Sequence, residues 1–215
     1  MGDDKNAVDP KEIVARGYDR VGWRYTELAV RADFDERAQY VDMLIERLPA
    51  GAKVLDLGCG AGVPTTRQLA SHFDVTGVDI SGRQIDRARY NVSNATFMQA
   101  DMAALDFSPA SFDAITAFYS IIHLPRDEQP RMLQSIANWL RPEGLLVATM
   151  GVESTEAGFE ELWLGASMFW SSFDSETNRR FIEEAGLRII SSTVKTSESH
   201  GGSETFLWIV AQKPA

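Results

Sequence analysis

A strand that runs straight into a glycine-rich turn constrains this chain's fold more than any other feature. Val54-Leu55-Asp56-Leu57 is apolar and β-prone, and Gly58-Cys59-Gly60-Ala61-Gly62 follows it without a break. A second run of the same kind, Val75-Thr76-Gly77-Val78, ends on Asp79. A tight strand-to-helix turn needs positive φ and lets a ligand approach the backbone closely, and glycine supplies both. An acid closing the second strand, roughly 20 residues after the turn, stands where a carboxylate can accept both hydroxyls of a ribose. The pair predicts a parallel βαβ unit with an adenosine-bearing ligand across its carboxyl edge.

Spacing narrows the ligand. A dinucleotide site reads G-x-G-x-x-G, with the third glycine letting the helix pack closely to hold a pyrophosphate. Here the third glycine comes one residue early, and Val63-Pro64 stands in its place. A GxGxG turn leading to a proline-started helix suits a ligand without phosphate. Val54 to Gly62, Asp79, Gln99-Ala100-Asp101-Met102 and Leu140-Arg141-Pro142-Glu143-Gly144 together resemble the class I S-adenosylmethionine-dependent methyltransferases, in their small-molecule branch. The resemblance is strong over residues 50–150 and extends in topology alone over 175–213.

The chain, 215 residues, fits one domain with a substantial core. Its formal net charge of −10 argues against a nucleic-acid groove or an anionic membrane surface as partner. Cys59 is the only cysteine, so no intrachain disulfide forms and a reducing, cytoplasmic setting is expected. Within the turn it reads as a small residue in a cramped place. Met1 to Pro10 is polar and acidic without a signal-peptide pattern, and Asn6 stands where myristoylation wants Ser or Thr. No apolar run is long enough for a bilayer. His72 and His200 read as surface residues. With His123 and Cys59 they offer no metal-ligand spacing, so no metal is expected.

Val41, Leu44, Ile45 and Leu48 recur at helical spacing and mark an amphipathic helix ending at Pro49-Ala50-Gly51. One or two shorter helices are expected upstream. Strands at 53–57, 74–78, 95–99, 112–117 and 144–149 alternate with helices at 64–72, 82–91 and 127–140, which implies a parallel sheet covered on both faces. Ser81-Gly82-Arg83-Gln84 reads as a capping box that starts a helix just after Asp79. A helix at 175–185 precedes strand-like runs at 187–194 and 205–211, whose short connection permits only an antiparallel pair. The expected fold is α/β, doubly wound, with a mostly parallel seven-stranded sheet ending in an antiparallel hairpin. One domain divides into a helical lid (1–50), a cofactor core (51–150), a substrate-cap insertion (151–174) and the C-terminal helix and hairpin (175–215).

The resemblance implies S-adenosyl-L-methionine as cofactor and assigns parts to residues. The 58–62 turn, with Gly58, Cys59 and Gly60, would hold the methionine portion, assisted by Asp56. Asp79 would take the ribose, and Asp101 the adenine amino group beside the Met102 backbone, with Ile80 packed on the ring. Asp101 also reads as a helix N-cap. Phe118 lies at the same strand edge, and Tyr18 and Tyr25 would close over the methionine end. His123, in Phe118-Tyr119-Ser120-Ile121-Ile122-His123-Leu124-Pro125, is the candidate base, because an ordinary imidazole titrates near ~6.5. Tyr119, Trp163, Met168 and Trp170 are the expected walls of an acceptor pocket. The segment Phe118-Tyr119-Ser120-Ile121 lacks the two prolines that nucleic-acid amine methyltransferases of this superfamily carry there, so a small-molecule acceptor is expected. The competing readings are an NAD(P)-dependent oxidoreductase, favoured by Asp79, and a non-catalytic S-adenosylmethionine-binding protein.

Overall fold

The computed structural model of the chain describes residues 8–31, 36–199 and 202–215. Three helices come first: α1 (Pro10–Val21), α2 (Trp23–Arg31) and α3 (Glu36–Arg47). The core runs through β1 (Lys53–Leu57), α4 (Thr65–Ala70), β2 (Asp74–Asp79), α5 (Gly82–Asn91), β3 (Thr96–Gln99), β4 (Phe112–Ala117), α6 (Gln129–Trp139) and β5 (Leu140–Met150), with only a short 3-10 turn between β3 and β4. A small hairpin, β6 (Thr155–Trp163) and β7 (Ala166–Ser172), precedes α7 (Ser175–Glu184), β8 (Arg188–Ser199) and β9 (Gly202–Gln212). Among the described residues no helix is long and apolar enough to cross a membrane.

Seven strands form one sheet in the order β3-β2-β1-β4-β5-β9-β8. The first five pair in parallel, while β9 runs antiparallel to both β5 and β8. The expected parallel sheet with a terminal antiparallel hairpin is therefore present. The hairpin tip, with His200, lies outside the described residues. Helical periodicity explains the layers. Met132, Leu133 and Ile136 of α6 bury one face together with Ile182 of α7. Val41 and Leu44 of α3, Leu69 of α4, and Ile85 and Ala88 of α5 bury the other. The order in which strands are added reverses between the parallel neighbours β1 and β4, and at such a switch point a ligand crevice opens at the carboxyl ends of the strands.

Two local expectations need correction. Ser81 caps α5, its Oγ accepting from the Gln84 N–H at 3.2 Å, but the Gln84 side chain does not return to Ser81. It donates instead to the Gly22 carbonyl at the end of α1, at 3.3 Å. Pro64 stands at the N-cap of α4 rather than inside its first turn. The insertion 151–174 forms a hairpin the sequence did not announce. Leu164 and Gly165 both adopt positive φ, 49° and 87°, between the paired Trp163 and Ala166. That is a two-residue hairpin turn of the type usually signalled by Asn-Gly, and Leu-Gly hides it.

Candidate functional site

The turn after β1 is built to leave space. Gly58 sits at φ 75°, and a Cβ there would stand 2.3 Å from the Ser120 Cβ, so no other residue fits. Gly60, at φ 54°, faces open space, and its N–H donates to Asp79 Oδ2 at 2.9 Å. Asp79 Oδ1 accepts from the Ser81 N–H, also at 2.9 Å. Strand register and two backbone donors thus aim this carboxylate over the turn. Burial pushes its pKa up to about 6, with the Ser81 and Gly60 N–H groups pulling the other way.

Asp56 lies beneath. Its buried carboxylate accepts from Thr66 Oγ1 at 2.6 Å and Thr116 Oγ1 at 2.8 Å, tying β1 to α4 and β4. Burial raises its pKa as well. Asp101 combines two roles. Oδ1 caps a short 3-10 turn by accepting from the Ala103 N–H at 2.9 Å, and Oδ2 accepts from Lys11 Nζ at 2.7 Å. Lys11 also donates to Glu128 Oε2 at 2.9 Å, and these two partners outweigh its burial and raise its pKa. A lysine on α1 therefore straps the helical segment across the crevice. Its partners are remote in sequence, and no local pattern signals the pairing.

His123 is buried, with Nδ1 against the Phe169 carbonyl and Nε2 against the Tyr18 hydroxyl, both at 2.9 Å. Burial pulls its pKa down to about 4. The Trp170 ring lies 4.5 Å away. Tyr18 meets Tyr25 and Trp163 edge-on at 5.2 and 5.6 Å. Trp163, Met168 and Trp170, expected to wall an acceptor pocket, stand one layer behind. Met168 is fully buried in a small core with Val14, Tyr18 and Phe169. Flush packing of β7 on α1 at Gly17 consumes these side chains; a Cβ on Gly17 would be 2.6 Å from the Ser167 carbonyl oxygen. Tyr119 does face the crevice, its ring against Phe206 and Trp208.

Two cavities meet over the glycines. The first runs from Gly58 and Gly60 past Asp79 and Ile80 to Asp101 and Met102, with Tyr18, Phe118 and His123 on its wall. The second is lined by Thr26, Arg37, Asp56, Cys59 and Thr65. Tyr25, Gly58, Gly60 and Phe118 border both. The Cys59 thiol is buried, and burial pushes its pKa well up, so it stays protonated. The hydroxyls of Thr26 and Thr65 in the second cavity, and of Ser120 in the first, are buried without a hydrogen-bond partner. Buried polar groups are seldom left so, and a ligand with matching polar groups would satisfy them. No sequence pattern singles out the three hydroxyls or Arg37. Thr26 on α2 and Arg37 on α3 look like ordinary helix surface until the fold turns them inward.

A long ligand, apolar and ribose-bearing at one end and polar at the other, fits this double cavity. S-adenosylmethionine has that form. Residues 54–144 match the family model described as a methyltransferase domain. The chain is 37% identical over 114 residues to the 27-O-demethylrifamycin SV methyltransferase of Amycolatopsis mediterranei, covering 49% of this chain and 41% of that protein. Such alignments span 34–66% of the curated relatives' own length. In fold, the chain is similar to the magnesium protoporphyrin IX methyltransferase of Synechocystis PCC 6803 solved with bound S-adenosylmethionine, at a TM-score of 0.73, 19% identity, and coverage of 97% and 99%. It is also similar to the 1,6-didemethyltoxoflavin-N1-methyltransferase of Burkholderia thailandensis, at a TM-score of 0.69, 20% identity, and coverage of 99% and 93%.

Proposed function

From the methyltransferase-domain match over residues 54–144 and the cavity beside it, we infer that this chain is a class I S-adenosylmethionine-dependent methyltransferase that transfers a methyl group to a nitrogen, oxygen or carbon of a small-molecule acceptor. The observation that carries the reading is the double cavity: one arm ends on carboxylates suited to a nucleoside, and the other on unpartnered hydroxyls suited to an amino acid. Asp79 would take the ribose hydroxyls. Asp101 would take the adenine amino group while keeping Lys11, and Ile80, Met102 and Phe118 would pack the base. Thr26, Thr65 and Arg37 would hold the amino-acid end.

When bound, the cofactor supplies a sulfonium-linked methyl group that departs from a neutral thioether. The protein's part is to orient the acceptor and exclude water, and alignment can contribute up to ~7–11 kcal/mol. His123 supplies the proton-accepting nitrogen. A weak base is adequate, because a hydroxyl or amine sharing its lone pair with a methyl group becomes more acidic as it does so. The segments before β1 and between β5 and α7 serve as lid and cap. A small, uncharged or cationic acceptor suits the acidic chain better than a polyanion. A cytoplasmic location fits its single buried thiol.

Isothermal titration with S-adenosylmethionine, S-adenosylhomocysteine and NAD tests the reading. Micromolar binding of the first two and none of the third is expected. Binding of NAD alone overturns it in favour of hydride transfer.

A further inference from the structure

Hydrogen-bond polarity around His123 is fixed by one backbone oxygen. The Phe169 carbonyl, 2.9 Å from Nδ1, can only accept, so Nδ1 carries the proton. A buried imidazole with a lowered pKa is neutral, which leaves Nε2 a bare lone pair. The Tyr18 hydroxyl, 2.9 Å from Nε2, must then donate to it. Its one proton is committed, and its oxygen can only accept. Tyr25 is a second hydrogen-bond neighbour of Tyr18. Tyr18 lines the crevice, where a lone pair of its oxygen can meet a donor. Aromatic rings pack against both partners: Trp170 lies 4.5 Å from His123, and Trp163 lies 5.6 Å from Tyr18. The carboxylates of Asp79 and Glu204 add negative potential at the same phenol.

We propose that Tyr18 is a specificity-determining residue whose oxygen, held as an obligate acceptor by the Phe169–His123 chain, selects substrates presenting an N–H or O–H donor and rejects those presenting only an anion. This rests on the methyltransferase reading. It narrows the acceptor to amines and un-ionised hydroxyls, and places carboxylates and thiolates outside the class. It also makes His123 a positioning residue. The acceptor's proton passes to the Tyr18 oxygen as the Tyr18 proton passes to Nε2, leaving a neutral phenol and an imidazolium that later returns its proton to solvent.

Sinefungin, which carries an amine-bearing carbon where S-adenosylmethionine carries its sulfonium methyl, supplies a donor without needing the acceptor. Its affinity relative to S-adenosylhomocysteine is measured by calorimetry in wild type, Tyr18→Phe and His123→Phe. Phenylalanine keeps an aromatic ring in the site but removes the Nε2 acceptor, which frees the Tyr18 proton to point elsewhere. The preference for sinefungin should fall about tenfold in both variants, the scale of one charge-assisted hydrogen bond. An equal preference in all three proteins overturns the proposal while the cofactor reading stands. Failure of both ligands to bind wild type overturns that reading and this proposal with it. Nitrogen-15 shifts of His123 in the wild-type protein give an independent check: Nδ1 protonated and Nε2 bare is expected, and a protonated Nε2 overturns the proposal whatever the variants do.

Discussion

Half-buried Asp79 and buried His123 are titratable groups pushed in opposite directions. Asp79 has a folded pKa of about 6, above its ordinary 3.8, so its protonated form is favoured. Its contribution to stability is full below 3.8 and is lost as pH rises through 6. Ribose hydroxyls donate hydrogen bonds and therefore want the ionised form. Affinity for S-adenosylhomocysteine should weaken about tenfold per pH unit below about 6. Calorimetry from pH 5 to 8 checks this, and a flat profile removes Asp79 from the ribose. His123, at about 4 against an ordinary 6.5, behaves inversely: its contribution holds above 6.5 and is lost as pH falls through 4. Asp79 was legible in the sequence because its partners, Gly60 and Ser81, belong to adjoining turns of one motif. The surroundings of His123 were not legible, since the Tyr18 hydroxyl and the Phe169 carbonyl come from distant segments that only the fold brings together.

Helix α1 is fastened along its length to the loops that form the crevice. Lys11 reaches Asp101 and Glu128, and Tyr18 reaches His123. Asp19 Oδ1 accepts from Ser81 Oγ at 2.6 Å, and the Gly22 carbonyl accepts from Gln84. Three of these ties land on, or next to, residues assigned to the ligand. Lys11→Met removes the tie at the adenine end. Dissociation of S-adenosylhomocysteine should quicken about fivefold, the scale of a ~1 kcal/mol ion pair, and amide exchange in α1 should rise. Stopped-flow and hydrogen-exchange measurements at wild-type rates would show that Lys11 does not restrain the helix. Core helices were legible because apolar spacing identifies them. The hairpin β6–β7 was not, because β6 is exposed over most of its length, with Phe159 at 61% and Leu162 at 79%, and carries no alternation.

At the scale of the molecule, the parallel sheet with its antiparallel end follows from sequence signals: five apolar runs interspersed with helices, then a connection too short for a crossover. The acceptor pocket does not, since it depends on how two irregular segments meet. Ligand that binds only the folded form should raise the melting temperature. At a hundredfold excess over Kd the gain is about 2.7 kcal/mol, or roughly 5–10 °C for a domain of this size. Scanning calorimetry with saturating S-adenosylhomocysteine checks this, and an unmoved transition counts against a cofactor site in the folded protein. The two large cores flank the sheet, but the third joins Val14 and Tyr18 of α1 to Met168 and Phe169 of β7. Gly17 lets the two elements touch at the Ser167 carbonyl. Helix α1 and the β6–β7 insertion therefore form one packing unit. A chimera that exchanges the hairpin for a relative's must exchange the first helix with it, or graft a cap onto a lid cut for another shape.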